Sequence, residues 1–206
     1  MKANMEVREN NKLLKIYGFV GVQGAGKTYN ANRLIQEEGF VNVSFADCLR
    51  DMSWKILSWK PESAEQYDLF KKGLISIPNF GKINGRKFLQ VLGDSMRQVD
   101  AEFWTKQWKK AVEDYISMGY NSICCDDIRY PNELLALFSY NWKAEVKVEF
   151  VDYHSERYEC DNKHISEKMS QTLLKMGYKH KDIVTKQTVT DVMAEIIKEV
   201  DKNGSK

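Results

Sequence analysis

Residues 21–28 read G-V-Q-G-A-G-K-T and fit the pattern G-x-x-x-x-G-K-[ST], which constrains the fold more than any other stretch of the chain. The run before it, LLKIYGFV (13–20), is apolar enough to be a buried strand. The run after it, TYNANRLIQEE (28–38), has a helix-compatible pattern. Strand, glycine-rich turn and helix is the local architecture the pattern requires. Gly21, Gly24 and Gly26 allow a tight turn that points several N–H groups into one concavity. The following helix adds its positive N-terminal end, so a phosphate is favoured there. Lys27 can reach the outer phosphates, and the Thr28 hydroxyl can ligate Mg²⁺. Gly21, Gly24, Ala25, Gly26, Lys27 and Thr28 are therefore the expected ATP-binding set.

Downstream, strand and helix patterns alternate. FVNVSF (40–45) reads as a strand and 46–59 as a helix. Residues 60–85 read as an irregular or partly helical insertion, 86–99 and 101–118 as two helices, and SICC (122–125) as a short buried strand. Pro131 opens a helix, where its missing N–H costs nothing. AEVKVEFV (144–151) alternates as a strand, 166–176 is helical, DIVT (182–185) is a last short strand, and 190–200 is a closing helix. This order predicts an α/β domain with a central parallel sheet of about five strands, covered by helices on both faces. A single domain spans 1–206 with its core at about 13–200. Loose ends are expected over the first dozen residues and over DKNGSK (201–206). Ligands of such sheets sit at the carboxyl ends of the strands, which places the informative loops at 21–28, 46–50, 126–133 and 152–166 on one edge.

Those loops carry the remaining candidates. In SICCDDIRYPNE the strand ends in Asp126 and Asp127, and a carboxylate there can hold Mg²⁺ directly or through water. Asp127, in the D-x-R spacing, is the expected metal-side residue, with Arg129 as a bidentate phosphate clamp. Arg86 and Arg97 lie eleven residues apart, about three helical turns, so both can face one side of a helix. Cations in this number suit phosphoryl transfer, whose transition state spreads charge over the phosphoryl oxygens. Asp47 and Arg50 in FADCLR are substrate-side candidates, and as surface residues they would be a helix cap and a solvated arginine. Trp104 and Trp108 read as core. The polar stretch after the late strand, with Arg157, Lys163 and His164, has the character of a lid that excludes water, with Arg157 as its cation and Ser166 as a helix cap.

Composition removes whole classes. A net charge of +2, without a basic stripe interleaved with aromatics, argues against nucleic acid as partner. Four cysteines without a C-x-x-C pair suit a reduced, cytoplasmic chain rather than a zinc site or a disulfide framework. No apolar run approaches a membrane span, and the polar start MKANMEVRENNK does not read as a signal peptide.

In order and spacing, GVQGAGKT, FADCLR, RKFLQVLGDSMRQVDAEFW, DDIRYPNE and DNKHISE resemble the deoxynucleoside monophosphate kinases of phages, a P-loop kinase family, from about residue 15 to 200. The resemblance implies a P-loop kinase fold with a helical acceptor region and a lid, acting in the host cytoplasm. It implies transfer of the ATP γ-phosphate, with Mg²⁺, to a deoxynucleoside 5′-monophosphate. It places Lys27 on the transferring phosphate, Thr28 on Mg²⁺ and Asp127 near the metal. Arg97 and Arg129 would lie around the monophosphate, with Arg86 and Arg50 as further contacts, and a homodimer is an option. Asp94 stands where the family often has Thr, and TKQT (185–188) where it often has Asn-Asp-Gly near adenine.

Two other readings stay open on the residues alone. One is a hydroxyl-acceptor kinase resembling dephospho-coenzyme A kinase, with Asp47 as base. The other is a nucleotide-driven switch or assembly protein. An N-K-x-D loop, the usual signal for guanine, is missing.

Overall fold

The structure, a computed structural model, describes residues 13–139, 143–153 and 167–204. Strand β1 (Leu14–Val20) leads through the glycine-rich loop into helix α1 (Lys27–Glu38), which Gly39 ends in the left-handed conformation. Next come β2 (Val41–Asn42), α2 (Ala46–Leu57), α3 (Ala64–Lys71), the short pair β3 (Ser76–Ile77) and β4 (Gly81–Lys82), α4 (Gly85–Val99) and α5 (Phe103–Ser117). The chain continues through β5 (Ser122–Ile128), α6 (Pro131–Ser139), β6 (Ala144–Phe150), α7 (Lys168–Lys175) and α8 (Lys186–Gly204). The order β2-β5-β1-β6 forms one sheet whose neighbours are all parallel, and β3-β4 is a separate antiparallel hairpin.

Side-chain alternation assigns the two faces of that sheet. Ile16 and Val20 of β1 with Ile123 and Cys125 of β5 enter a core shared with Trp108 and Val112 of α5, Leu134 and Leu137 of α6, and Val189 and Val192 of α8. Phe19 and Cys124, one residue out of phase, pack on the other face against Ala31 and Leu34 of α1. Helices therefore cover both faces, as the strand–helix alternation predicts. Gly18 is needed where α6 crosses β1: a Cβ there would lie 2.7 Å from both Ile128 and Leu137.

Three expectations are corrected. The sheet has four strands among the described residues, because DIVT does not become a fifth: Ile183 makes only an isolated antiparallel bridge to Glu149. A left-handed Lys181 precedes it, and a reciprocal cap follows, in which Thr185 N–H donates to Thr188 Oγ1 and Thr188 N–H to Thr185 Oγ1. Pulled from both ends, the segment is too short to run as a strand, and α8 starts four residues earlier than its apolar pattern suggested. α8 also continues to Gly204, so residues 201–204 are helical rather than a loose end. Finally, β2 holds only two residues of FVNVSF, because Ser44 already turns into α2 through the Asp47 carboxylate, which accepts from Ser44 N–H at 2.8 Å. The insertion at 60–85 is partly helical as expected, and the hairpin and α3 close it over a cluster of Trp54, Leu57, Phe70 and Ile77.

Candidate active site

The loop between β1 and α1 is held open by glycine. Gly24 and Gly26 take φ values of 80° and 96°, which L side chains rarely adopt. A Cβ on Gly26 would also lie 2.5 Å from the Tyr153 ring. Tyr153 braces the loop by donating its N–H to Ala25 O at 3.3 Å and its hydroxyl to Asn30 Oδ1 at 3.1 Å. Lys27 folds back over the turn, and its ammonium donates to Gly21 O at 2.6 Å and Val22 O at 2.8 Å. Burial, then the Arg129 charge, lowers its pKa to about 8.

At the carboxyl end of β5 the two aspartates part company. A one-residue bulge separates the pairs Gly18–Cys125 and Val20–Ile128, so Asp126 and Asp127 fall at the irregularity. Asp126 shares the α1 face of the sheet with Cys124. It accepts from Thr28 Oγ1 at 2.7 Å, Asn42 Nδ2 at 2.9 Å and Ser44 Oγ at 3.0 Å. Asp127 turns the other way and accepts the Phe45 and Ala46 N–H groups at 2.8 and 2.9 Å, at the start of α2. Its pKa is raised by burial and by the neighbouring Asp126. Thus Asp126, rather than the expected Asp127, is the carboxylate bonded to Thr28. Asp126 lies two residues beyond Cys124, on the face that α1 covers, and that parity is informative only once the packing of α1 is known. Nothing in the spacing D-x-R carried it.

Beside the loop lies a cavity of about 200 Å³ between α2, α4 and the β5–α6 turn, lined by Arg50, Arg86, Arg97, Arg129 and Lys71 together with Asp127 and Glu133. Phe45, Leu89 and Trp104 give it an apolar wall. Four of the five expected substrate-side residues therefore converge. Asp47 is the exception: it lies in the first turn of α2, accepts the N–H of Ser44 before the helix, and pairs with Arg50. Arg157, Lys163, His164 and Ser166 lie outside the described residues. Trp104 and Trp108 are each 2% exposed and are core as expected, their indole N–H groups donating to Gly93 O and Val43 O.

The arginines are held by groups the sequence reading passed over. Arg86 donates to the Gln23 side chain of the glycine-rich loop at 2.9 Å. Arg129 pairs with Glu167 at 3.0 Å, and the other Glu167 oxygen accepts Gln23 N–H at 3.0 Å, so one carboxylate joins the arginine to the loop. Arg97 donates to Glu133 at 2.9 Å, with its guanidinium 3.8 Å from the centre of the Tyr130 ring. Glu133 and Glu167 are each 3% exposed, and a carboxylate that far from water needs such partners. Burial outweighs the pairing for Glu133 and pushes its carboxyl up to about 7.

Thr28 and Asp126 present hard oxygens in one place. That fits Mg²⁺, which takes one or two protein oxygens and keeps the rest for water and phosphate. Among the described residues there is no cluster of three His, Cys, Asp or Glu that would hold a metal by protein ligands alone, and no helix is long and apolar enough to cross a membrane. No family model matches the chain, and no curated protein matches it in sequence.

Proposed function

We propose that the protein is an ATP-dependent P-loop kinase that passes the γ-phosphate to a nucleoside 5′-monophosphate, with deoxynucleotides the preferred class by its resemblance to the phage enzymes. One observation carries this reading. Four arginines line a single cavity whose edge is bonded to the glycine-rich loop, through Arg86 on Gln23 and through Arg129 and Glu167 on Gln23 N–H. A hydroxyl acceptor needs a base. A phosphate acceptor brings its own nucleophilic oxygen and needs cations to bring two anions together.

In this reading an oxygen of the acceptor phosphate forms a bond to the γ-phosphorus as the bond to the β-phosphate bridging oxygen breaks, and ADP leaves. Lys27 exchanges its two loop carbonyls for the transferring phosphate. Arg97 and Arg129 bind the acceptor phosphate and offset charge on the transferring group, while Arg86 and Arg50 hold the acceptor. Thr28 and Asp126 would hold Mg²⁺, which neutralises the β- and γ-phosphate charge when bound. Asp127 supports α2 beside the acceptor instead of the metal. The hydroxyl-acceptor alternative is less favoured, because Asp47, its candidate base, does not line the cavity and is paired with Arg50.

The direct test is ADP production from ATP and Mg²⁺ with each ribo- and deoxynucleoside monophosphate added singly. Turnover that depends on one or a few monophosphates is expected. A flat panel from protein that still binds ATP would overturn the reading.

A further inference from the structure

We propose that Glu133 is a positioning residue: its buried carboxylate fixes the Arg97 guanidinium, and the backbone that carries Arg129, in one orientation toward the acceptor phosphate. The inference rests on reading the cavity as the acceptor site.

Glu133 is the third residue of α6, and one of its oxygens accepts Arg129 N–H at 2.8 Å and Tyr130 N–H at 3.1 Å. That half of its bonding is a helix cap, and glutamate or glutamine serves there equally. The other oxygen reaches across to α4 and accepts Arg97 Nη2 at 2.9 Å. A cap alone does not require this second bond, nor burial to 3% exposure with Asp127 close enough to oppose its charge. Arg97 is meanwhile pressed against the Tyr130 ring and has Asp94 at 3.7 Å. Carboxylate and ring together restrict a guanidinium that would otherwise sample several rotamers, and they tie α4 to the β5–α6 turn. One side chain thus bonds both the Arg97 guanidinium and the Arg129 backbone N–H, while Glu167 holds the Arg129 guanidinium. Misplacement by about an ångström is enough to lower transfer strongly.

The variant Glu133→Gln separates the two roles, because its amide oxygen can still cap α6 while the charge facing Arg97 is gone. Nitrogen-15 NMR of the arginine side chains reads the positioning directly. Slow rotation of the Arg97 guanidinium is expected in the wild type, with fast rotation in E133Q. An Arg97 already mobile in the wild type, or unchanged in a folded E133Q, would overturn the proposal, and the wild-type spectrum decides even if the variant does not fold. In steady-state kinetics E133Q should lower kcat/KM for the monophosphate roughly 10- to 100-fold while leaving KM for ATP within about twofold. In an Arg97→Ala background the same change should add little, and full additivity would overturn the proposal. A wild type without monophosphate-dependent turnover would remove the functional reading, while the Arg97 spectrum would still decide the role of Glu133.

Discussion

The ammonium of Lys27 is held against carbonyls and beside the Arg129 cation, and it carries its charge with difficulty, with a pKa near 8. An ordinary lysine titrates near 10.5, so between about pH 8 and 10.5 the unfolded chain binds more protons than the fold. Stability from this group is present above the unfolded pKa and is lost as pH falls through 8. A polyphosphate reverses the balance, because an anion within reach favours the charged form. At pH 8 roughly half the molecules should therefore take up a proton at Lys27 when ATP binds. Calorimetry in buffers of different ionisation enthalpy measures that uptake, and affinity for ATP should fall as pH rises above 8. Lys27→Ala should abolish the uptake and reduce transfer by about 10²- to 10³-fold. Uptake that persists in the variant would assign the proton to another group.

At the scale of elements, α4 carries Arg86 and Arg97, two of the proposed acceptor contacts, and its seating depends on a glycine. Gly85 opens the helix against α3, where an added Cβ would lie 2.6 Å from the Phe70 carbonyl oxygen and 2.6 Å from its ring. Backbone cannot yield as a side-chain tip does. Gly85→Ala should destabilise by about 1–3 kcal/mol, which for a chain of this size lowers Tm by roughly 2–12 °C. Because Arg86 is the next residue, KM for the acceptor should rise more than KM for ATP. A melt unchanged within error would show that α3 moves aside freely. The helix itself was legible in the sequence, since Phe88, Leu89, Leu92 and Met96 recur at helical steps, although its Asn84 cap was not. So was the glycine-rich loop, whose spacing is set by backbone geometry within eight residues. What was not legible depends on pairings between distant elements. Asp126 and Asp127 are indistinguishable until the bulge against β1 and the face covered by α1 are known. DIVT looks like a strand until the Thr185–Thr188 cap takes its last residue. Glu133 and Glu167 look like helix-start acids until the arginines 36 and 38 residues away meet them.

Across the whole molecule the apolar contacts fall into groups of unequal weight. Two clusters fill the faces of the parallel sheet, and the third, built on Trp54, Leu57, Phe70 and Ile77, binds α2 to α3, the hairpin and the start of α4 without a residue from β1, β5 or β6. A small cluster under a long insertion buries less apolar area and has fewer long-range hydrogen bonds behind it, so it should open at a lower free energy than the sheet. Amides of α3 and the hairpin should exchange hydrogen well before those of β1 and β5. If the cavity beside this cluster, lined by Arg50 and Arg86, takes the acceptor nucleotide as proposed, that nucleotide should slow them without altering the sheet. Phe70→Ala, at a side chain with no exposure, should remove about 3–5 kcal/mol from this unit. Loss of protection confined to residues 50–90 is the expected pattern. Equal loss across β1 and β5 would mean that the cap and the sheet unfold as one, and that acceptor binding reports on the stability of the entire fold rather than on closure of a semi-independent cap.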